Sequence, residues 1–206
     1  MNTAKALLKV TAFVTRPSEA GHDLLLFQHP NAGIQIPAGT VEPGERPQAA
    51  ALREAREESG LEGLIVTEYL GVEEKTLPDD QRVTRGEATV YARPDATSFD
   101  WARLRRGIQV AALRHAAGFT QVRYEEPDRL PDPTYTSMCI LGWVADERLT
   151  GRVQRHFFRL EFQGSSPDRW TVSTDNHIFE PFWAPLDDLP PVIPPQDGWL
   201  VFLRDG

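Results

Sequence analysis

One stretch of this chain leaves little freedom in how it folds or what it can hold. Residues 39–61 read GTVEPGERPQAAALREAREESGL, a turn-rich loop that runs straight into a short helix crowded with glutamates. Gly39, Pro43 and Gly44 make the first half a loop, since glycine reaches positive φ freely and proline fixes its own φ. A helix is expected from about Pro47 to Ser59. Proline suits the first helical position, Ala49 to Arg53 are strong helix formers, and Gly60 stands where a left-handed C-terminal cap belongs. On that helix Glu54, Glu57 and Glu58 are spaced i, i+3 and i+4, which gathers their side chains on one face. Three carboxylates so close repel one another. They are either a solvated acidic face answered by Arg53 and Arg56, or a site for a hard divalent cation, which prefers oxygen ligands and relieves the repulsion. The glutamates alone do not decide between the two.

The loop before them adds the missing constraint. Gly39 is followed after five residues by Glu45, then after seven by Arg53-Glu54, and then by Glu57-Glu58, Gly60 and Leu61. This pattern resembles the signature of the Nudix hydrolases, and it departs only at Ala55, small where the family usually has a larger aliphatic residue. The match covers 23 of the 206 residues. The resemblance implies an α/β fold, a Nudix-type α/β/α sandwich with a mixed β-sheet. It also implies that Glu54, Glu57 and Glu58 bind Mg²⁺ or Mn²⁺ together with the backbone carbonyl of Ala38, and that Arg53 and Glu45 brace loop against helix through an ion pair. A guanidinium beside carboxylates keeps them ionised and oriented, and a divalent ion on phosphate oxygens neutralises charge and activates water.

Charge narrows the partners. A net charge of -8 is poorly suited to gripping a nucleic-acid polymer, which calls for a basic surface, but it is compatible with a small nucleotide met through a metal. At 206 residues and 40% hydrophobic content the chain is long enough for one well-buried domain, 1–206. No apolar run approaches a membrane span, and MNTAKALLKVTAFV has neither a long apolar core nor a small-residue cleavage pattern, so a cytoplasmic location is expected. Cys139, the single cysteine, is expected to be a small core residue.

Along the rest of the chain, strands are expected over 5–15, 24–27, 34–37, 64–72, 87–92, 119–124, 138–144 and 153–162. Residues 97–117 carry a helical period through Trp101, Leu104, Ile108 and Leu113, with Gly118 as a C-terminal cap. Residues 93–133 read as an insertion after the glutamate helix, able to shape specificity or build a homodimer contact. Glu73, Glu74, Asp79 and Asp80 form an acidic loop, with Arg82 and Arg85 as candidates to meet phosphates. Arg155 and His156 head the best strand, where a histidine is more often a satisfied structural residue. The stretch WTVSTDNHIFEPFWAPLDDLPPV resembles the family's C-terminal segment, which frequently supplies a further ligand or base. Here Asp175, His177 and Glu180 are the candidates, Glu180 first, because a carboxylate serves without a change of protonation. Trp183 is expected in the core, and 196–204 as a terminal helix.

The activity implied is divalent-metal-dependent hydrolysis of a phosphoanhydride in a nucleoside diphosphate linked to another moiety, with Glu54 or an acid outside the signature as general base. The entry PAGTVEPGE and Pro78 resemble the ADP-ribose and nucleotide-sugar pyrophosphatases. Two alternatives are a house-cleaning nucleoside triphosphate pyrophosphohydrolase and a non-catalytic nucleotide sensor. Sensors commonly lose signature glutamates, and this chain keeps all of them.

Overall fold

The computed structural model describes residues 5–19, 21–174 and 177–204. In chain order the elements are β1 (Leu7–Ser18), β2 (Gly21–His29), β3 (Gly33–Gln35), β4 (Ala38–Thr40), α1 (Pro47–Ser59), β5 (Leu64–Thr76), β6 (Gln81–Thr84), β7 (Ala88–Tyr91) and β8 (Asp100–Leu104). They continue with β9 (Gln109–Ala116), β10 (Phe119–Pro127), β11 (Thr136–Ala145), β12 (Leu149–Thr150), β13 (Arg152–Phe162), β14 (Val172–Thr174), β15 (His177–Pro185) and α2 (Leu200–Arg204). These form two compact units, one of residues 9–72, 129–132 and 155 onward, the other of residues through 8, 73–128 and 133–154.

The first unit holds most of a sheet ordered β14-β15-β2-β1-β13-β5, with β3 on β2 and β4 on β1. The β1–β2, β2–β15 and β1–β4 ladders are antiparallel. Between β1 and β13 the direction changes. The Arg155 guanidinium donates to the Val10 carbonyl at 2.8 Å and the Thr15 hydroxyl donates to the Leu160 carbonyl at 3.2 Å, so residue numbers rise together along the two strands. From β13 to β5 they run oppositely, with Thr67 donating to the Arg159 carbonyl and the Gln163 N–H to that of Gly63. The sheet is therefore mixed, and the fold is α/β.

Period-two alternation along β13 aims Arg155, Phe157 and Arg159 at one face. There Phe157 stacks on Phe202 with ring centroids 3.9 Å apart and meets Trp199 edge-on, so the terminal helix covers this side. Phe13, Leu24, Leu26 and Ile36 complete that core. On α1 the buried residues are Ala50, Ala51, Ala55 and Ser59. Ala55, the small residue of the signature, is fully buried. Gly60 caps α1 at φ 68° with its N–H on the Arg56 carbonyl, and the Trp170 indole N–H donates to the Ser59 carbonyl at 2.7 Å. Trp183 is buried, as the sequence suggests.

The second unit contains a sheet ordered β12-β6-β9-β10-β11-β7-β8 over a core of Ala88, Val90, Leu104, Val110, Val122, Ile140, Val144 and Leu149. Here the sequence reading is corrected. Residues 97–117 are not a helix; they form β8 and β9, and β9 pairs with both β6 and β10. Two flanking ladders satisfy the backbone of Ala111 and Ala112, and this tertiary pairing overrides the strong intrinsic helix preference of alanine. The apolar residues that mimicked one helical face part company: Leu104 turns inward and Ile108 packs against the same core, while Trp101 and Leu113 are exposed. Gly118 is not a helix cap. Ala117 (φ 51°) and Gly118 (φ 78°) are the two central residues of a hairpin turn between Ala116 and Phe119, where the type I′ geometry needs positive φ at both. Cys139 is likewise exposed, because β11 alternates and it is Ile140 that faces the core.

Candidate active site

The glutamates owe their placement to three residues of β4. This strand pairs with β1 in the register Lys9 to Thr40, Val10 to Gly39 and Thr11 to Ala38, and α1 packs on it. A Cβ built on Gly39 would fall inside the Glu54 carboxylate, so only glycine lets that side chain lie against the main chain. Glu54 also accepts from the Thr40 N–H, and Glu58 accepts from the Ala38 N–H at 3.0 Å. Ala38, Gly39 and Thr40 thus each meet a glutamate of the helix.

Arg53 joins the remaining groups. Its Nε and one Nη reach the two oxygens of Glu45 at 3.0 Å each, the bidentate fork that suits guanidinium to carboxylate. The other Nη donates to Glu54 at 2.9 Å and Glu57 at 3.0 Å, while the Nη that meets Glu45 also donates to the Thr40 carbonyl at 3.2 Å. Glu45 in turn accepts from the Glu42 N–H at 2.9 Å. The ion pair bracing loop against helix is present.

The carboxylates respond in opposite directions. Hydrogen bonds from Arg53 hold Glu45 below its ordinary value, whereas burial pushes Glu54 up, with Arg53 opposing and Glu57 adding to the rise. Glu45 raises Arg53, burial opposing. Lys9 is lowered to about 8 by burial and then by the charge of Arg155, while Glu54 pulls the other way.

Among the described residues no three acidic, histidine or cysteine side chains are arranged to hold a metal ion as they stand. Arg53 occupies the ground between Glu54 and Glu57, and Glu58 turns to Ala38. The donor chemistry nonetheless suits a hard divalent cation. It offers oxygens only, on one helical face, with Glu54 desolvated and held against the main chain.

The other candidates lie elsewhere or outside what is described. Glu180, on β15 opposite Gln28, is half exposed and 3.5 Å from Arg169; it does not join the α1 glutamates in a metal-binding cluster. Asp175 lies outside the described residues, as does the His177 side chain. His156 meets the Tyr69 hydroxyl at 3.0 Å, a satisfied strand histidine. Arg82 donates to the carbonyls of Asp79 and Gln81, bracing its own turn. Sequence reasoning missed Lys9. A lone lysine on a strand carries no signal, and only the pairing of Lys9 with Thr40 brings it to the glutamates.

Comparison with known proteins bears on the family. The sequence model of the NUDIX domain matches residues 6–130, more than half of the chain. The chain belongs to the NUDIX family. It is thereby a hydrolase of phosphoanhydrides, in a family that acts on small-molecule nucleotides and generally uses divalent metals. No curated protein sequence matches it. Among solved structures it is similar to an Ap4A hydrolase from C. elegans, at 13% identity and TM-score 0.39 over 89% of this chain and 83% of that one. It is also similar to a candidate NUDIX hydrolase from Listeria monocytogenes, at 13% identity and TM-score 0.43 over 96% and 92%. Both scores are low, and the assignment rests on the domain match and the signature. Among the described residues, no helix is long and apolar enough to cross a membrane.

Proposed function

We propose that this NUDIX chain hydrolyses the diphosphate of a nucleoside diphosphate linked to another moiety, with ADP-ribose and nucleotide sugars as the leading substrates. The observation that carries this reading is the complete set of signature glutamates, each held by β4 or by Arg53. Glu54, Glu57, Glu58 and the Ala38 carbonyl would hold Mg²⁺ or Mn²⁺. A bound ion would neutralise charge on the phosphate oxygens and make water a better nucleophile near neutral pH. Arg53 keeps the carboxylates ionised and aimed, and the β4 main chain fixes where they can move. Glu54 is better placed as general base than Glu180, since it lies among the other glutamates while Glu180 is half exposed beside Arg169.

The test is a panel of ADP-ribose, nucleotide sugars and nucleoside triphosphates with Mg²⁺ and with Mn²⁺. A nucleoside monophosphate and a phosphorylated fragment from the linked diphosphates supports the proposal. Pyrophosphate release from triphosphates alone would turn it to the house-cleaning alternative, and no metal-dependent hydrolysis of any member would overturn it.

A further inference from the structure

At the opposite end of β11 from Cys139, the outer face of the second unit's sheet carries a cavity of about 350 Å³, near the small end of the range for ligand pockets. The strand register makes it. Thr89 and Tyr91 alternate with the buried Ala88 and Val90, so they point outward from β7. Tyr91 pairs with Trp143 of β11, and Ala145, two residues further along β11, pairs with Phe119 of β10. Small Ala145 therefore leaves a hollow among larger neighbours, where Tyr91 and Phe119 meet edge to face with ring centroids 5.9 Å apart. Ala96 lines the hollow from the loop after β7. That loop is tied to itself. The Ala92 N–H donates to the Phe99 carbonyl at 2.9 Å, and Asp95 accepts from the Thr97 N–H at 2.8 Å and from its hydroxyl at 2.9 Å. The wall thus stands before any ligand arrives, which lowers the cost of binding.

The lining also selects by charge. Glu87, Thr89, Glu147 and Arg148 supply the polar groups. Glu87 is answered by Arg103 at 3.1 Å and Glu147 stands 3.9 Å from Arg148, so two acids meet two arginines and the rim carries no net charge. An anion would face two carboxylates, and an ammonium ion would face arginine. Carboxylates only accept hydrogen bonds, a guanidinium only donates, and a threonine hydroxyl does both. A ligand rich in hydroxyls answers all three. We propose that this cavity binds a neutral sugar ring, with its hydroxyls on Glu87, Thr89, Glu147 and Arg148 and its C–H face against Tyr91 and Phe119. It is a second site, and it does not depend on the hydrolase reading. Its residues all fall within 73–128 and 133–154, whereas the glutamate helix belongs to the other unit.

The probes are glucose, galactose, mannose and ribose, added singly to the full chain while its backbone amide resonances are followed by NMR. Inorganic phosphate and methylammonium are the charged controls. At least one sugar should bind with a millimolar Kd and shift the amides of Thr89, Tyr91 and Phe119. Ala145→Leu fills the hollow and should weaken that binding about tenfold or more, the scale of an overpacking cost. Should the leucine variant fail to fold, Ala96→Phe closes the hollow from the exposed loop and should give the same loss. Silence of those amides toward all four sugars at about 100 mM, far above a millimolar Kd, overturns the proposal. So do shifts centred elsewhere on the chain, an affinity that the filling variant leaves within twofold, or tighter binding of phosphate or methylammonium at the same amides.

Discussion

At the β4–α1 junction Arg53 meets Glu45, Glu54, Glu57 and the Thr40 carbonyl, whereas on the outer face of β11 Cys139 and Leu141 stand in solvent. Charge in the first region is answered by charge at hydrogen-bond distance. The nearest ion pair to that outer face, Arg123 with Glu125 at 3.7 Å, is half exposed on both sides and is worth little. The difference teaches where this molecule tolerates change. A junction in which one guanidinium serves three carboxylates has one workable arrangement, while a solvent-facing strand face beside an exposed ion pair constrains little beyond its pleat.

The sharpest way to break the contrast is at the helix. Replacing Glu57 and Glu58 together by Gln should lower divalent-dependent turnover by about 10³-fold or more, the several kcal/mol of metal-assisted charge stabilisation, with the circular dichroism unchanged. Undiminished turnover would remove the junction from the chemistry. Arg53→Ala should come next. It strands Glu54 in a desolvated position and should cost about 2 kcal/mol in urea denaturation, along with most of the activity. Gly39→Ala tests the same junction through shape alone. Its added methyl meets the Glu54 carboxylate, and overpacking of this kind costs about 1–3 kcal/mol in urea denaturation.

Acid titration sharpens the comparison within the junction. Glu45 is depressed, so its contribution to stability is present above the ordinary carboxylate value of 4.5 and is lost as pH falls through its folded value. Glu54 is raised, so its contribution is complete below 4.5 and is lost as pH rises through its folded value. Glu45→Gln should therefore remove part of the acid-induced loss, and Glu54→Gln should raise the melting temperature of metal-free protein at pH 7. Equal effects of the two variants would contradict the opposed shifts. The smallest effects belong to the other region. Cys139→Ser should stay within about 0.5 kcal/mol of wild type. Ala117→Asn, which supplies the Asn-Gly pair favoured at positive φ, should stabilise the hairpin by up to about 1 kcal/mol in thermal melts.

The two regions also differ in how far they can be read in advance. The span of α1 was legible because its signals are local: Pro47 at the first helical position, a run of helix formers, and Gly60 in the left-handed cap. The glutamate face was legible because it is set by spacing along one element. Residues 97–117 were misread because Trp101, Leu104, Ile108 and Leu113, three to five residues apart, imitate a helical period, while what makes the segment strands is pairing of β8 with β7 and of β9 with β6 and β10. The same dependence on distant pairing hid Lys9, whose significance lies in the register of β1 against β4. Cys139 misled for a simpler reason, since an apolar run on a half-buried strand holds both inward and outward residues.

The indole of Trp170 is tied to the carbonyl at the very end of α1, on the residue after Glu58. That makes it a built-in optical reporter. When the glutamates change partners, the terminal turn of the helix must adjust, and the fluorescence of this one ring among five tryptophans should register the adjustment before any product is formed.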